Sequence, residues 1–242
     1  MSQERQSVTC VIPAHNEGDG ILETIAEIDQ ACPDEFELTV FVSEDGSRDN
    51  TREQVLLAAK RATLSTIQLS EPSGRLGYSR AVQRGISECQ SDVVWFMDSD
   101  GQYEPSEVRD LFAELVPGTV VVGYRNPRVD SFARKMYSKL FGLVYKFYGG
   151  PKLIDPSCPF VLAYREDIAD IAERKFHLAY GFWWEFQTRI NSMGLKIIEV
   201  PVTHRNRLSG DTQVYKLRKL PGIVSSHLLG LKKLQRELSG KR

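Results

Sequence analysis

Paired cysteine spacing is missing from this chain. Cys10, Cys32, Cys89 and Cys158 stand too far apart for the C-x-x-C patterns of zinc or redox sites. They read as reduced thiols of a cytosolic protein. The opening MSQERQS contains no apolar signal region, and no run approaches the ~20 apolar residues that cross a bilayer. The expectation is a cytoplasmic chain, soluble or peripheral. A large excess of one charge is also absent. The net charge of −1 predicts no general affinity for nucleic acid. Neither G-x-G-x-x-G in the first turn nor G-x-x-x-x-G-K-[ST] anywhere occurs, which excludes the usual dinucleotide and phosphate-loop sites. Internal repeats and low-complexity linkers are lacking too, and 242 residues suit one α/β domain.

What is present is an alternation of strands and helices. Val8–Pro13 and Val93–Met97 are short apolar runs, as buried strands require, and Leu38–Val42 and Thr66–Leu69 also read as strands. Between them Ile21, Leu22, Ile25 and Ile28, then Val55, Leu56 and Ala59, then Ala81, Val82 and Ile86 recur at helical spacing. Asp49 or Asn50 can cap the second helix, and Pro105 suits a first helical position. The second half continues with strands at Gly118–Arg125, Ser157–Tyr164 and Lys196–His204. Helices are expected at Phe132–Tyr148, Arg165–Arg174 and Tyr180–Ser192. This alternation predicts an α/β fold, a Rossmann-like mainly parallel sheet flanked by helices.

In such sheets ligands bind at the carboxyl ends of the strands. Ala14–Glu17, Glu44–Ser47 and Asp98–Gln102 all follow strands and should meet in one cleft. Asp98 and Asp100 project from the same side of their strand end. Two such carboxylates repel unless a cation lies between them. A hard divalent ion takes oxygen ligands, and Gln102 can supply another. An isolated Asp-x-Asp is more often a turn with two solvated acids; the convergence favours a site.

Taken together, the motifs resemble the family-2 glycosyltransferases of the GT-A fold. The closest likeness is to their dolichol- and polyprenyl-phosphate sugar synthases, such as dolichol-phosphate mannose synthase. Val11–Glu17 is similar to the opening Pro-x-x-Asn-Glu signature, and Ser43–Thr51 to the acidic-Asp-Gly-Ser-x-Asp-x-Thr segment. Gly74-Arg75-Leu76-Gly77 resembles the glycine-rich stretch, and Asp98–Gln102 the metal-binding Asp-x-Asp-x-Gln. The resemblance spans roughly Val8 to Tyr215. It implies a single GT-A nucleotide-diphospho-sugar transferase domain over 7–215, followed by a basic amphipathic helix and tail over 216–242. Ser43-Glu44 stands where many relatives carry an Asp, and Tyr103 where members of the lipid branch often have His.

The resemblance also implies roles. Pro13, Ala14, Asn16, Glu17, Asp45, Gly77, Asp98 and Ser99 would line the nucleotide of a GDP-mannose or UDP-sugar donor. Asp98, Asp100 and Gln102 would hold Mg²⁺ or Mn²⁺ against its diphosphate. Arg125, Arg134, Ser138 and Arg207 match positions around the phosphate of a polyprenyl-phosphate acceptor, where the planar guanidinium suits phosphate oxygens. Asp98, Asp100, Arg134 and Arg207 would therefore carry the reaction. A phosphate monoester is already anionic, so it can attack the sugar C1 without a general base, and direct displacement inverts the anomeric centre.

Two alternatives stay open. The acceptor can instead be a hydroxyl on a glycan or small molecule, with Glu185 of Trp183-Trp184-Glu185 as its base; Glu185 can equally pair with an Arg. The chain can also be a catalytically silent nucleotide-sugar-binding protein, against which the intact acidic pair argues. The basic end, Lys216, Arg218, Lys219, Lys232, Lys233, Arg236, Lys241 and Arg242 against Glu237 alone, suits the cytoplasmic face of an anionic membrane. Its apolar Val224, Leu228, Leu231 and Leu238 can meet lipid or pack on the domain.

Overall fold

The computed structural model describes residues 5–33, 35–72, 74–129, 132–206 and 220–240. Seven strands form one sheet: β1 (Gln6–Ala14), β2 (Phe36–Glu44), β3 (Thr66–Leu69), β4 (Val93–Phe96), β5 (Thr119–Arg125), β6 (Val161–Tyr164) and β7 (Lys196–Val202). Their order is β3-β2-β1-β4-β6-β5-β7. β6 runs antiparallel to both neighbours, while the other pairings are parallel.

The helices are α1 (Ile21–Ala31), α2 (Thr51–Arg61), α3 (Tyr78–Glu88), α4 (Val108–Glu114), α5 (Phe132–Phe147), the short α6 (Arg165–Ile168), α7 (Phe182–Ser192) and α8 (Leu220–Ser239). Expected strands and helices recur with shifted ends. Only Val161–Tyr164 of the expected Ser157–Tyr164 is strand. The helix expected at Arg165–Arg174 divides into α6 and a 3₁₀ segment. Pro105 opens a 3₁₀ turn ahead of α4.

Alternation along the strands sorts side chains into two cores. Cys10 and Ile12 of β1 and Trp95 of β4 pack with Ile21, Ile25, Val55 and Leu111 of α1, α2 and α4. Val11 and Phe96 point to the other face, against Val82 and Ile86 of α3 and Phe182, Phe186 and Ile190 of α7. A third cluster joins Phe141 and Tyr145 of α5, Trp184 of α7, and Leu231 and Leu234 of α8. The C-terminal helix thus packs on the domain through a face that includes Leu231. Val224 and Leu228 remain about 40% exposed, at 41% and 39%.

Two features aim the chain at one point. β1 leads to β2 and β3 on one side and lies beside β4 on the other, so the connections reverse direction between β1 and β4. The carboxyl ends of such strands open a crevice. Gly85 lets α3 lie against β1: a Cβ there would stand 2.2 Å from Val11 Cγ1. That close approach brings the first turn of α3 over the crevice.

Candidate active site

The first two loops are tied before anything binds. The Asp45 amide donates to the Ala14 carbonyl (2.9 Å), and the Asn16 amide to Ser47 Oγ (3.0 Å). Arg48 N–H donates to Asn16 Oδ1 (2.8 Å). Asn16 adopts φ 55°, a conformation Asn tolerates better than most side chains. His15 Nδ1 lies 2.8 Å from the Asp45 carbonyl oxygen. That oxygen only accepts, so Nδ1 carries the proton, and Nε2 accepts from Asn16 Nδ2 at 3.1 Å.

Expected site residues serve this framework. The Asp45 carboxylate accepts the amides of Leu76 (2.5 Å) and Gly77 (3.0 Å), which fixes the glycine-rich stretch over the loop. Gly46, at φ 66°, is required here, because a Cβ would meet the Arg75 amide nitrogen at 2.6 Å. Glu44 accepts from the Ser47 amide and pairs with Arg52 at 3.4 Å. The acid that departs from the family pattern therefore closes its own turn. The Glu17 amide donates to Thr51 Oγ1 (2.9 Å). Asp49, rather than Asn50, meets the start of α2, taking the Thr51 amide at 3.1 Å. His15, Asn16, Ser47, Arg48 and Arg75 line a cleft of about 450 Å³.

The acidic pair closes the crevice from β4. Asp98 is half-buried and Asp100 is 6% exposed. Asp98 Oδ1 accepts the Tyr78 hydroxyl (2.7 Å), and Trp183 Nε1 donates to that same hydroxyl (2.8 Å). Tyr78 is 38% exposed as a residue, but the enclosure of its hydroxyl between Trp183 and Asp98, with the Asp98 carboxylate against it, pushes the phenol above its usual range. It is a proton donor at neutral pH. Asp100 Oδ1 accepts the Gln102 amide (3.2 Å). Gln102 Nε2 donates to the Arg205 carbonyl (3.2 Å) and its own carbonyl accepts the Arg205 amide (2.8 Å). The buried Ser99 carbonyl takes Thr24 Oγ1 at 3.1 Å. Among the described residues no group of three or more His, Cys, Asp and Glu is arranged to hold a metal ion. The candidate donors are two carboxylates and one amide, an all-oxygen set that fits a hard divalent cation.

The acceptor side differs in detail from the expected constellation. Arg125 is 8% exposed and lays its fork on Asp155, Nε to Oδ2 at 2.6 Å and Nη2 to Oδ1 at 2.8 Å. Burial opposes its charge, but Tyr103 and Asp155 outweigh it and push the guanidinium up. Burial would likewise raise Asp155, yet its hydrogen bonds and charge contacts with Arg125 hold it well below the usual carboxylate range. Arg128, which the motifs did not single out, donates from Nη2 to Ser138 Oγ (3.2 Å) and stands 3.8 Å from Asp155. The side chain of Arg134, on α5, and Arg207 lie outside the described residues.

Two cavities meet at Arg128, Ser138 and Trp184. One, about 240 Å³, reaches Asp98, Tyr78, Trp183 and His227. The other, about 930 Å³ and mainly apolar, runs between α5 and the segment 151–156 past Met136, Leu143 and Ile154. Glu185 lines neither. It is fully buried, accepting the amides of His177 (2.7 Å) and Leu178 (2.8 Å) and the Arg189 guanidinium (2.7 Å). Arg189 continues to Glu237 of α8 at 3.0 Å. Glu185 ties α7 to its neighbours.

Residues 9–172 match the family model described as glycosyl transferase family 2. The undecaprenyl-phosphate 4-deoxy-4-formamido-L-arabinose transferase of Pseudomonas fluorescens is 31% identical over 217 residues, 87% of this chain and 61% of that protein. Its namesake in Klebsiella pneumoniae is 30% identical over 223 residues, 90% of this chain and 65% of that protein. This chain thus spans less than two thirds of the length of either relative. Glucosyl-3-phosphoglycerate synthase from Mycobacterium tuberculosis, crystallised with Mn²⁺, UDP-glucose and phosphoglyceric acid, superposes with a TM-score of 0.68 at 20% identity, over 94% of this chain and 80% of that one. Its Mg²⁺ and UDP complex gives 0.65 at 20% identity, over 93% and 78%. At these identities the likeness is one of fold.

Proposed function

The chain belongs to glycosyl transferase family 2, and we propose that it moves a sugar from a nucleotide-sugar donor to a polyprenyl phosphate with inversion at C1. Its fold is the GT-A fold of its structural neighbours. The observation that carries the proposal is the larger, mainly apolar cavity meeting, at Arg128 and Ser138, the smaller cavity that reaches Asp98. A phosphate at that junction would have a cation and a hydroxyl beside it, with room for a hydrocarbon chain behind. The relatives named for undecaprenyl phosphate support the same reading.

In this reading the donor nucleoside lies over Pro13, Ala14, Asn16, Glu17, Asp45, Gly77 and Ser99, and its diphosphate approaches Asp98 and Asp100. Asp98, Asp100 and Gln102 would hold Mg²⁺ or Mn²⁺. When bound, such an ion offsets the charge that develops on the departing nucleoside diphosphate. Arg128 and Ser138, with Arg134 and Arg207, hold the acceptor phosphate. A phosphate oxygen forms the new bond to C1 while the bond from C1 to the diphosphate oxygen breaks. The acceptor arrives ionised, so no side chain needs to take a proton. Asp155, paired with Arg125 and 3.8 Å from Arg128, borders this seat, and the pair neutralises its own charge. For a hydroxyl acceptor the candidate base is Glu185, whose role the sequence leaves open, and its burial in the Arg189 pair speaks against it.

The membrane surface in this proposal belongs to α5. Met136, Leu140, Leu143 and Phe147 recur every three or four residues and are 51%, 63%, 67% and 82% exposed. Lys139 and Lys146 lie on the same helix. Apolar residues flanked by lysines suit an anionic bilayer interface, from which a lipid could enter the adjoining groove. No helix among the described residues is long and apolar enough to cross the bilayer.

The test is a partition assay with radiolabelled GDP- and UDP-sugars, polyprenyl phosphate and Mn²⁺ or Mg²⁺. Label should enter the organic phase with one donor, and Asp100→Ala should abolish it. Donor consumption with label confined to water would move the chain to a soluble acceptor. No consumption of any donor would make it a binding protein.

A further inference from the structure

We infer that Tyr78, backed by Trp183, is a positioning residue for Asp98; the inference rests on the reading that Asp98 holds a divalent cation. Three elements that are distant in sequence converge in the chain of bonds Trp183 Nε1–H to Tyr78 Oη to Asp98 Oδ1, at 2.8 and 2.7 Å. Its direction is fixed by chemistry. The indole nitrogen can only donate and an ionised carboxylate can only accept. The phenol oxygen therefore accepts from Trp183 and spends its single proton on Asp98.

Each member is independently held. Tyr78 opens α3 directly after Gly77, whose amide is bonded to Asp45, and Gly85 seats the helix on β1. The Trp183 ring packs edge-on against Phe96 of β4 at 5.4 Å, and the Tyr78 ring meets Phe182 at 6.1 Å. Fixing Oδ1 sets the plane of the Asp98 carboxylate and with it the place of Oδ2. The relay also joins the cation side of the crevice to α7, because Trp183 borders the cavity that reaches Asp98. Donor loading and the wall of the acceptor cavity would thus share one hydrogen-bonded chain.

The experiment is a Mn²⁺ titration followed by electron paramagnetic resonance, with the metal alone, on wild type, Tyr78→Phe, Trp183→Phe and Asp98→Ala. Tyr78→Phe keeps the ring and removes only the donor. Its Mn²⁺ dissociation constant should rise about 10–100-fold, the usual cost of losing a partner that orients a metal ligand. Trp183→Phe should fall between wild type and Tyr78→Phe, because Tyr78 keeps its bond but loses its fixed direction. Thermal midpoints within a few degrees of wild type would separate positioning from unfolding. Wild type that binds Mn²⁺, with Asp98→Ala that does not and Tyr78→Phe that matches wild type, overturns the relay and leaves the cation site standing. Wild type that binds no Mn²⁺, or Asp98→Ala that binds as well as wild type, overturns the reading of Asp98 itself and the relay with it.

Discussion

Arg125 was visible in the sequence as a cation at a strand end, but its partner, thirty residues on, was not. Asp155 takes both arms of its guanidinium in a buried site, so the residue expected to meet an acceptor phosphate carries its own counter-ion. Removing one half of such a pair leaves an unmatched buried charge, at a cost of about 3–5 kcal/mol. Asp155→Ala should lose about that much in urea denaturation, and Arg125 and Asp155 changed together to apolar residues should lose less. The pH dependence has a defined sign. The folded Asp155 pKa is depressed, so its contribution is complete above the ordinary carboxylate value of ~3.9. It is lost as pH falls through the depressed one. Acid titration of stability should be steeper in wild type than in Asp155→Ala. Arg128 went unnoticed because it sits in a loop without periodicity. Its position between Asp155 and Ser138 exists only once α5 is in place.

Helix faces were legible where one apolar stripe exists and ambiguous where several do. α1 and α3 follow their periodicity. α8 carries Ile223, Val224, Leu228, Leu229, Leu231 and Leu234, too many for one face, and packing selects Ile223, Leu231 and Leu234 for burial. Glu237 then pins the helix. Its hydrogen bond to Arg189, with a second to His177, lowers its pKa to about 2. That fastening is complete above the usual Glu pKa of ~4.3 and is lost as pH falls toward 2. Trp184 is buried against Phe141 and Tyr145 beside α8. Its fluorescence should shift to the red across that interval, and Glu237→Gln should remove the acid step. On α5 the outward stripe makes a different prediction. Leu143→Asp with Phe147→Asp should abolish co-sedimentation with anionic vesicles, with little change in the thermal midpoint. Two aspartates placed on the exposed face of α2, which lacks such a stripe, should not.

For the whole molecule, the alternation of strands and helices announced a mainly parallel sheet, and the ends of β1, β2 and β4 carry the polar clusters that the sequence placed together. The order of the sheet beyond β4 was not legible, because the antiparallel insertion of β6 between β4 and β5 leaves no local mark. The two adjoining cavities are a property of this assembly alone, since the smaller is lined by segments as distant as Tyr78 and His227 and the larger by both α5 and Trp184 of α7. They make the phosphate the feature on which acceptor choice turns. The most direct measurement is sugar transfer to polyprenyl phosphate and to the matching unphosphorylated polyprenol, side by side, by wild type and Arg128→Ala. A lipid product should form from the phosphate alone, with at least a tenfold loss in Arg128→Ala, about 1.4 kcal/mol or more, as befits a charge-assisted bond. Equal transfer to the free polyprenol, indifferent to Arg128, would contradict the proposed acceptor.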